Sequence, residues 1–177
     1  YVEMDWNPLY PFGYGLSYTT FSFENLRLSA SEIHGDESLE VLLDVTNTGS
    51  RAGATVAQIY VDDHYTSVVR PIMELKGFQR VELEAGETKT LHFTLGFDEL
   101  RLLDASYHWV VEPGEFRVMA GASSEDIRLS DKFAVVEYGM NGVWSETGNS
   151  KGDVISASTE MQDVGMTLDN DLKTCLL

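Results

Sequence analysis

The chain is short of cysteine, of basic residues and of long apolar runs, and each shortage removes a class of function. Its 177 residues hold one cysteine, Cys175, so no intrachain disulfide can form and no cysteine-rich metal site is available. Lys and Arg number 12 against 29 Asp and Glu, a formal charge of −17. Nucleic acid is excluded as a partner on that balance, since phosphate neutralisation needs cations. An anionic membrane surface is excluded on the same ground. The longest apolar runs are about four residues, far below the roughly 20 that span a bilayer. The first residue is Tyr1, with no basic, apolar leader behind it. A start of that kind makes a longer parent protein the expectation, and leaves the location of the parent unread. The length suits one domain of about 100–200 residues, with or without a tail, and is too short for an eight-fold β/α barrel of about 250.

What is present begins with rings. Residues 1–18 contain Tyr10, Phe12, Tyr14 and Tyr18 together with Pro8, Pro11, Gly13 and Gly15. Proline removes a backbone donor and glycine admits positive φ, so this stretch is neither a long helix nor a central strand. It reads as an ordered, extended lead-in. Two roles are open for it: a strap over the domain's own core, or a surface packed against a missing partner domain.

From residue 19 to 136 the pattern is β. Apolar residues alternate with polar ones at Phe21, Phe23, Leu26 and Leu28, at Leu39, Val41, Leu43 and Val45, at Ala57, Ile59 and Val61, and at Leu91, Phe93 and Leu95. A further strand is expected over 75–83 and a last one over 127–136. Residues 107–111 and 116–120 are expected to pair as a hairpin through Glu112-Pro113-Gly114-Glu115. Period-two alternation bounded by Gly, Pro, Asn and Asp is the strand signature. About seven short strands without a long helical period give an all-β class and a β-sandwich. A short helical turn is expected over 97–103. Residues 137–177 have no clean period and are expected to form an irregular, poorly ordered tail.

Chemistry is harder to find. The histidines are His34, His64, His92 and His108, with no His-Glu-Xaa-Xaa-His and no Cys/His pairing, so a zinc site has no support. Asp62-Asp63-His64 is the nearest thing to a ligand cluster, but neighbouring strand residues face opposite ways. No Gly-Xaa-Ser-Xaa-Gly elbow occurs. Gly13-Tyr14-Gly15-Leu16-Ser17 lacks the third glycine of a phosphate loop, and no pair of carboxylates is singled out by spacing. No catalytic residue, no metal ligand and no cofactor is therefore expected in this sequence.

A set of ordered motifs resembles a known family. Pro11-Phe12-Gly13-Tyr14-Gly15-Leu16-Ser17-Tyr18 is similar to the segment that opens the C-terminal domain of family 3 glycoside hydrolases, the β-glucosidases and β-xylosidases. Val45-Thr46-Asn47-Thr48-Gly49 with Arg51-Ala52-Gly53, Val69-Arg70-Pro71, Glu74-Leu75-Lys76-Gly77-Phe78, Ala85-Gly86-Glu87 and Glu112-Pro113-Gly114-Glu115-Phe116 follow in register. Bacterial periplasmic β-glucosidases are the nearest in look. The resemblance implies an immunoglobulin/fibronectin type III-like sandwich over 19–136, a lead-in over 1–18 and a tail over 137–177. It also implies a non-catalytic role beside a barrel and an α/β domain that carry the catalytic pair. Both lie outside this sequence, so no catalytic residue transfers to it. A β-glucoside substrate is met only through the parent, whose setting is periplasmic or secreted. Tyr10, Phe12, Tyr14 and Tyr18 are the expected domain-docking residues. A carbohydrate-binding module, using Trp6, Trp109, Trp144 and the tyrosines, and a surface adhesion sandwich are the alternatives. Trp109, set among apolar neighbours, is expected in the core.

Overall fold

The structure is a computed structural model; it describes residues 8–137 and the backbone of 144–145. Two sheets face each other. The first has three strands in the order β1 (Phe21–Leu28), β3 (Leu39–Asn47), β6 (Thr88–Leu95). The second has five, in the order β2 (Glu32–His34), β10 (Ile127–Val136), β9 (Gly114–Gly121), β4 (Gly53–Asp63), β5 (Glu74–Leu83). A small third sheet joins β7 (Leu102–Leu103), β8 (Trp109–Val111) and β11 (Trp144–Ser145). All pairings are antiparallel except that of β2 with β10.

Alternation places the core. Leu39, Val41, Leu43 and Val45 point inward from β3 and are wholly buried. They meet Ala57, Ile59 and Val61 of β4 and Val118 and Ala120 of β9 across the sandwich, all in one apolar cluster. Phe116 stacks on Phe133 at 5.3 Å, which fixes the β9–β10 register from inside. A Cβ at Gly77 would lie 3.1 Å from the Phe93 ring, so the two sheets touch there through a missing side chain.

β1 changes phase within itself: Phe21 and Phe23 are odd-numbered, Leu26 and Leu28 even. A bulge between Glu24 and Arg27 in the β1–β3 ladder accounts for this, with Asn25 at φ 51°. The helical turn is shorter than expected, α1 spanning Phe97–Leu100 before the chain enters β7. The expected hairpin of 107–111 with 116–120 does not form. Both sides of β9 are taken, by β4 and by β10, so β8 pairs with β7 and β11 instead. Pro113, which has no N–H, stands where the chain leaves one sheet for another. The expectation of an irregular tail over 137–177 falls outside the described residues, apart from Glu137 and the backbone of Trp144–Ser145, which is paired.

Leu43→Ala should remove side-chain volume from the middle of the packed face. A loss of about 3 kcal/mol is expected, seen as a lower urea midpoint with an unchanged slope.

Candidate functional site

The outer faces of the two large sheets differ. On β1, β3 and β6 the outer face is a polar lattice. Thr90 Oγ1 donates to Asp44 Oδ1 at 2.6 Å, Asn25 Nδ2 to Asp44 Oδ2 at 2.9 Å and Thr94 Oγ1 to Glu40 at 2.9 Å. Thr46 and Thr88 hydroxyls meet at 2.7 Å. The hydrogen bond from Thr90, with those from Asn25 and Arg27, holds the Asp44 carboxyl below its ordinary range. Such a surface is complete in water. On the five-stranded sheet, Gln58, Tyr60 and Met119 are outward by register and yet buried. The lead-in crosses this sheet and fastens to it.

Two buried amides make the fastening. Gln58 donates from Nε2 to Gly13 O at 2.9 Å and to Ala122 O at 2.8 Å, and its Oε1 accepts the Tyr60 hydroxyl at 2.6 Å. Gly13 sits at φ +78°, and a Cβ there would fall 2.0 Å from Gln58 Oε1. The position therefore requires glycine on both counts, backbone and space. Asn47 is fully buried and fully satisfied. Its Oδ1 accepts from Thr19 Oγ1 at 2.7 Å and from Gly49 N at 3.1 Å; its Nδ2 donates to Arg51 O at 2.7 Å and to Leu83 O at 3.0 Å. Ser124 N donates to Phe12 O at 2.9 Å, and Thr48 N to Thr20 O at 2.8 Å.

Held this way, the lead-in turns its rings outward. Leu9, Leu16 and Tyr18 are 87%, 86% and 97% exposed. Tyr10, Phe12 and Tyr14 keep half to two-thirds of their surface, and Tyr10 stacks on Tyr14 at 5.2 Å. The structure thus groups the four expected docking residues on one segment and leaves all four accessible. Residues 8–20 carry no charge. A groove of about 520 Å³ runs beneath the segment, with Pro11, Tyr14, Ser17, Asp126 and Arg128 in its walls. Arg128 is already engaged there, donating to Phe21 O at 2.8 Å and to Asp126 at 2.7 Å, with its guanidinium 4.7 Å from the Phe23 ring centre.

The far end of β4 holds the acidic triplet. Asp62 points outward and accepts from Arg117 at 2.6 Å; Asp63 points the other way and accepts from Arg70 at 3.1 Å. His64 packs its ring edge-on to Tyr65. The two carboxylates do not converge, and among the described residues no group of three His, Cys, Asp or Glu is placed to hold a metal. Arg70 also donates to Glu74 at 3.0 Å, and Glu74 receives Lys76. Burial would raise the Glu74 carboxyl, but Lys76 and Arg70 outweigh it and hold it low. Burial pushes the Asp63 carboxyl up to about 6 despite Arg70, with Glu112 and Asp62 adding to the rise. Trp109 is not in the core: it is 39% exposed, with the Arg101 guanidinium 4.5 Å from its ring centre. Trp6 and the side chain of Trp144 lie outside the described residues.

Sequence reasoning placed the rings but not their fastening. Asn47 reads as a turn residue and Gln58 as an ordinary outward strand residue. The available signal was that Gln58 and Tyr60 share a face two residues apart, amide beside phenol.

Known proteins are similar to this chain in sequence and in fold. Residues 55–124 match the family described as fibronectin type III-like domain. A β-xylosidase of Formosa agariphila is 50% identical over 125 residues, covering 71% of this chain and 17% of that protein. A periplasmic β-glucosidase of Salmonella typhimurium is 42% identical over 121 residues, 68% of this chain and 16% of that one. A β-glucosidase from Listeria innocua, solved with glucose, superposes with a TM-score of 0.73 at 38% identity, covering 78% of this chain and 19% of its own. The chain thus spans less than a fifth of these relatives.

Asn47→Ala should strand Thr19, Gly49, the buried Leu83 carbonyl and the Arg51 carbonyl together. A loss of about 3 kcal/mol is expected by calorimetry, against about 1 for Thr19→Val, which removes one bond. Asp63 titrates in the opposite sense to most acids. Its folded pKa of about 6 lies above the ordinary 3.8, so its protonation favours the fold below that ordinary value. This contribution is lost as pH rises from about 4 through 6. Relative to Asp63→Asn, the unsubstituted chain should lose up to about 3 kcal/mol across that window, read from urea midpoints at each pH.

Proposed function

Because this chain carries a fibronectin type III-like domain that matches the C-terminal region of family 3 β-glucosidases and β-xylosidases, we propose that it is the accessory, non-catalytic domain of a retaining β-glucosidase. In this proposal residues 19–136 are the sandwich, 1–18 the lead-in and 137–177 an appended segment. The parent hydrolyses terminal β-D-glucosyl residues with a barrel and an α/β domain that this chain lacks, in the periplasm or outside the cell. The sandwich packs against those domains and stabilises their arrangement.

The observation that carries this proposal is the ring-bearing part of the lead-in, uncharged over residues 8–20, fastened to the sandwich and left exposed on a chain of charge −17. Interface cores are depleted of charge and enriched in aromatics. An exposed apolar patch on an otherwise acidic protein marks a contact surface. Tyr10, Phe12, Tyr14 and Tyr18 are the docking residues in this proposal, joined by Leu16. A name ending in β-xylosidase among the relatives leaves the sugar a choice between two pyranosides, and the parent's own subsites would make it.

Two measurements test it together. This chain alone should give no turnover of a chromogenic β-glucoside, and the full-length polypeptide should give it. Leu16→Asp with Tyr18→Asp in the full-length polypeptide should lower its melting midpoint, a loss of about 2 kcal/mol or more. Turnover by this chain, or a full-length midpoint indifferent to both charges, would refute it.

A further inference from the structure

We infer that the loop between β4 and β5, residues 64–73, is a second docking element that meets the preceding domains of the same polypeptide independently of the lead-in. The inference rests on the accessory-domain proposal above and adds a contact to it.

The loop is built to present apolar tips. Val69, Ile72 and Tyr65 are 103%, 85% and 71% exposed. A loop with those residues free would be expected to fold them under; this one is pinned so that it does not. Ser67 gives its backbone N–H at 2.9 Å and its hydroxyl to the two oxygens of Glu112. Thr66 Oγ1 donates to Val68 O at 2.6 Å, and His64 N to Glu115 O at 3.2 Å. Arg70, the loop's one Lys or Arg, is turned inward, with 13% of its side chain exposed, onto Asp63 and Glu74. Its charge is thereby removed from the outer surface. The loop has no Asp or Glu. It shares with residues 8–20 the combination of exposed apolar groups and no outward charge.

The occupant follows from length and charge. More than four-fifths of each relative's chain lies beyond the region matched here, so a large covalently joined partner is at hand. Tethering supplies an effective concentration of millimolar order, which lets a small patch suffice. A second copy of this chain is disfavoured because two bodies of charge −17 repel. Gly53 to Asp63 spans about 33 Å of extended strand. A contact at each end of β4 would fix the orientation of the sandwich, which one contact cannot do.

The test uses the full-length polypeptide without other reactive cysteines. Single substitutions Val69→Cys, Ile72→Cys, Leu16→Cys and Ser130→Cys are made, Ser130 lying exposed on β10, and maleimide labelling rates are compared. Positions 69 and 72 should label at least tenfold more slowly than 130, at every protein concentration. Val69→Asp with Ile72→Asp should also lower the melting midpoint of the full-length polypeptide. If 69 and 72 label as fast as 130 while 16 stays slow, the loop inference is wrong and the accessory-domain proposal stands. If 16, 69 and 72 all label fast, both fall. Slowing at 69 and 72 that appears only as concentration rises assigns the loop to a second copy, and overturns the inference.

Discussion

A side-chain amide buried in a sheet must have its donors and acceptors met, because each unmet one costs about 1–3 kcal/mol. Asn47 meets that requirement with four bonds to four different residues, and the architecture around it follows from those bonds. Through Thr19 it fixes where the lead-in ends. Through Gly49 and Arg51 it shapes the turn from β3 into β4. Through Leu83 it holds the end of β5. Its own backbone adds the turn before β6, accepting from Gly86 N at 3.0 Å and donating to Glu87 O at 2.9 Å. The apolar core would bring two sheets together without Asn47, but it would not say where the lead-in lies. Hydrophobic burial is non-directional; the amide supplies the direction.

The consequence is an asymmetric sandwich. One outer face is closed chemically by threonines and acids that satisfy each other. The other carries buried Gln58, Tyr60 and Met119, with the strap bonded to Gln58. A free-standing sandwich has no need to treat its two faces differently. The difference becomes intelligible once one face is read as a mount for residues that point away from the domain. Rigidity matters here, since a ring already ordered before contact loses little freedom on docking. Gln58 and the positive-φ Gly13 supply that order beside Phe12 and Tyr14.

Much of this was legible in the residues. Strict alternation located β3, β4 and β6 and their inward faces, because period two is imposed by the strand itself. The bulge of β1 leaves a mark there as well, a change of parity between Phe23 and Leu26, although the stretch reads as one alternating strand. Three things were not. The hairpin over 112–115 was a local inference, and β9 was claimed by the next strand, β10, and by the distant β4; a pairing partner far apart in sequence leaves no local trace. Trp109 was judged by its apolar neighbours, whereas Val111 joins the core, Val110 is buried outside that cluster, and the Trp109 ring lies against Arg101. Arg70 looks in sequence like an ordinary surface cation, and only the fold shows it withdrawn onto Asp63 and Glu74.

That withdrawal bears on the meaning of the net charge. A value of −17 describes the chain as a whole and says little about any one face. The charge is segregated: residues 8–20 have none, and the 64–73 loop directs its single Arg or Lys inward. Placing an arginine beside a half-desolvated aspartate is not a cheap way to stabilise a loop, since burial pushes that carboxyl up to about 6. A neutral residue at position 70 would remove the cation from Asp63 and leave Glu74 with Lys76 alone. The arrangement holds the loop in one shape and clears charge from its outer side at the same time. An acidic surface interrupted by two ordered, apolar elements with no outward charge repels copies of itself; under the proposed docking it stays receptive to a neutral surface held close by a tether.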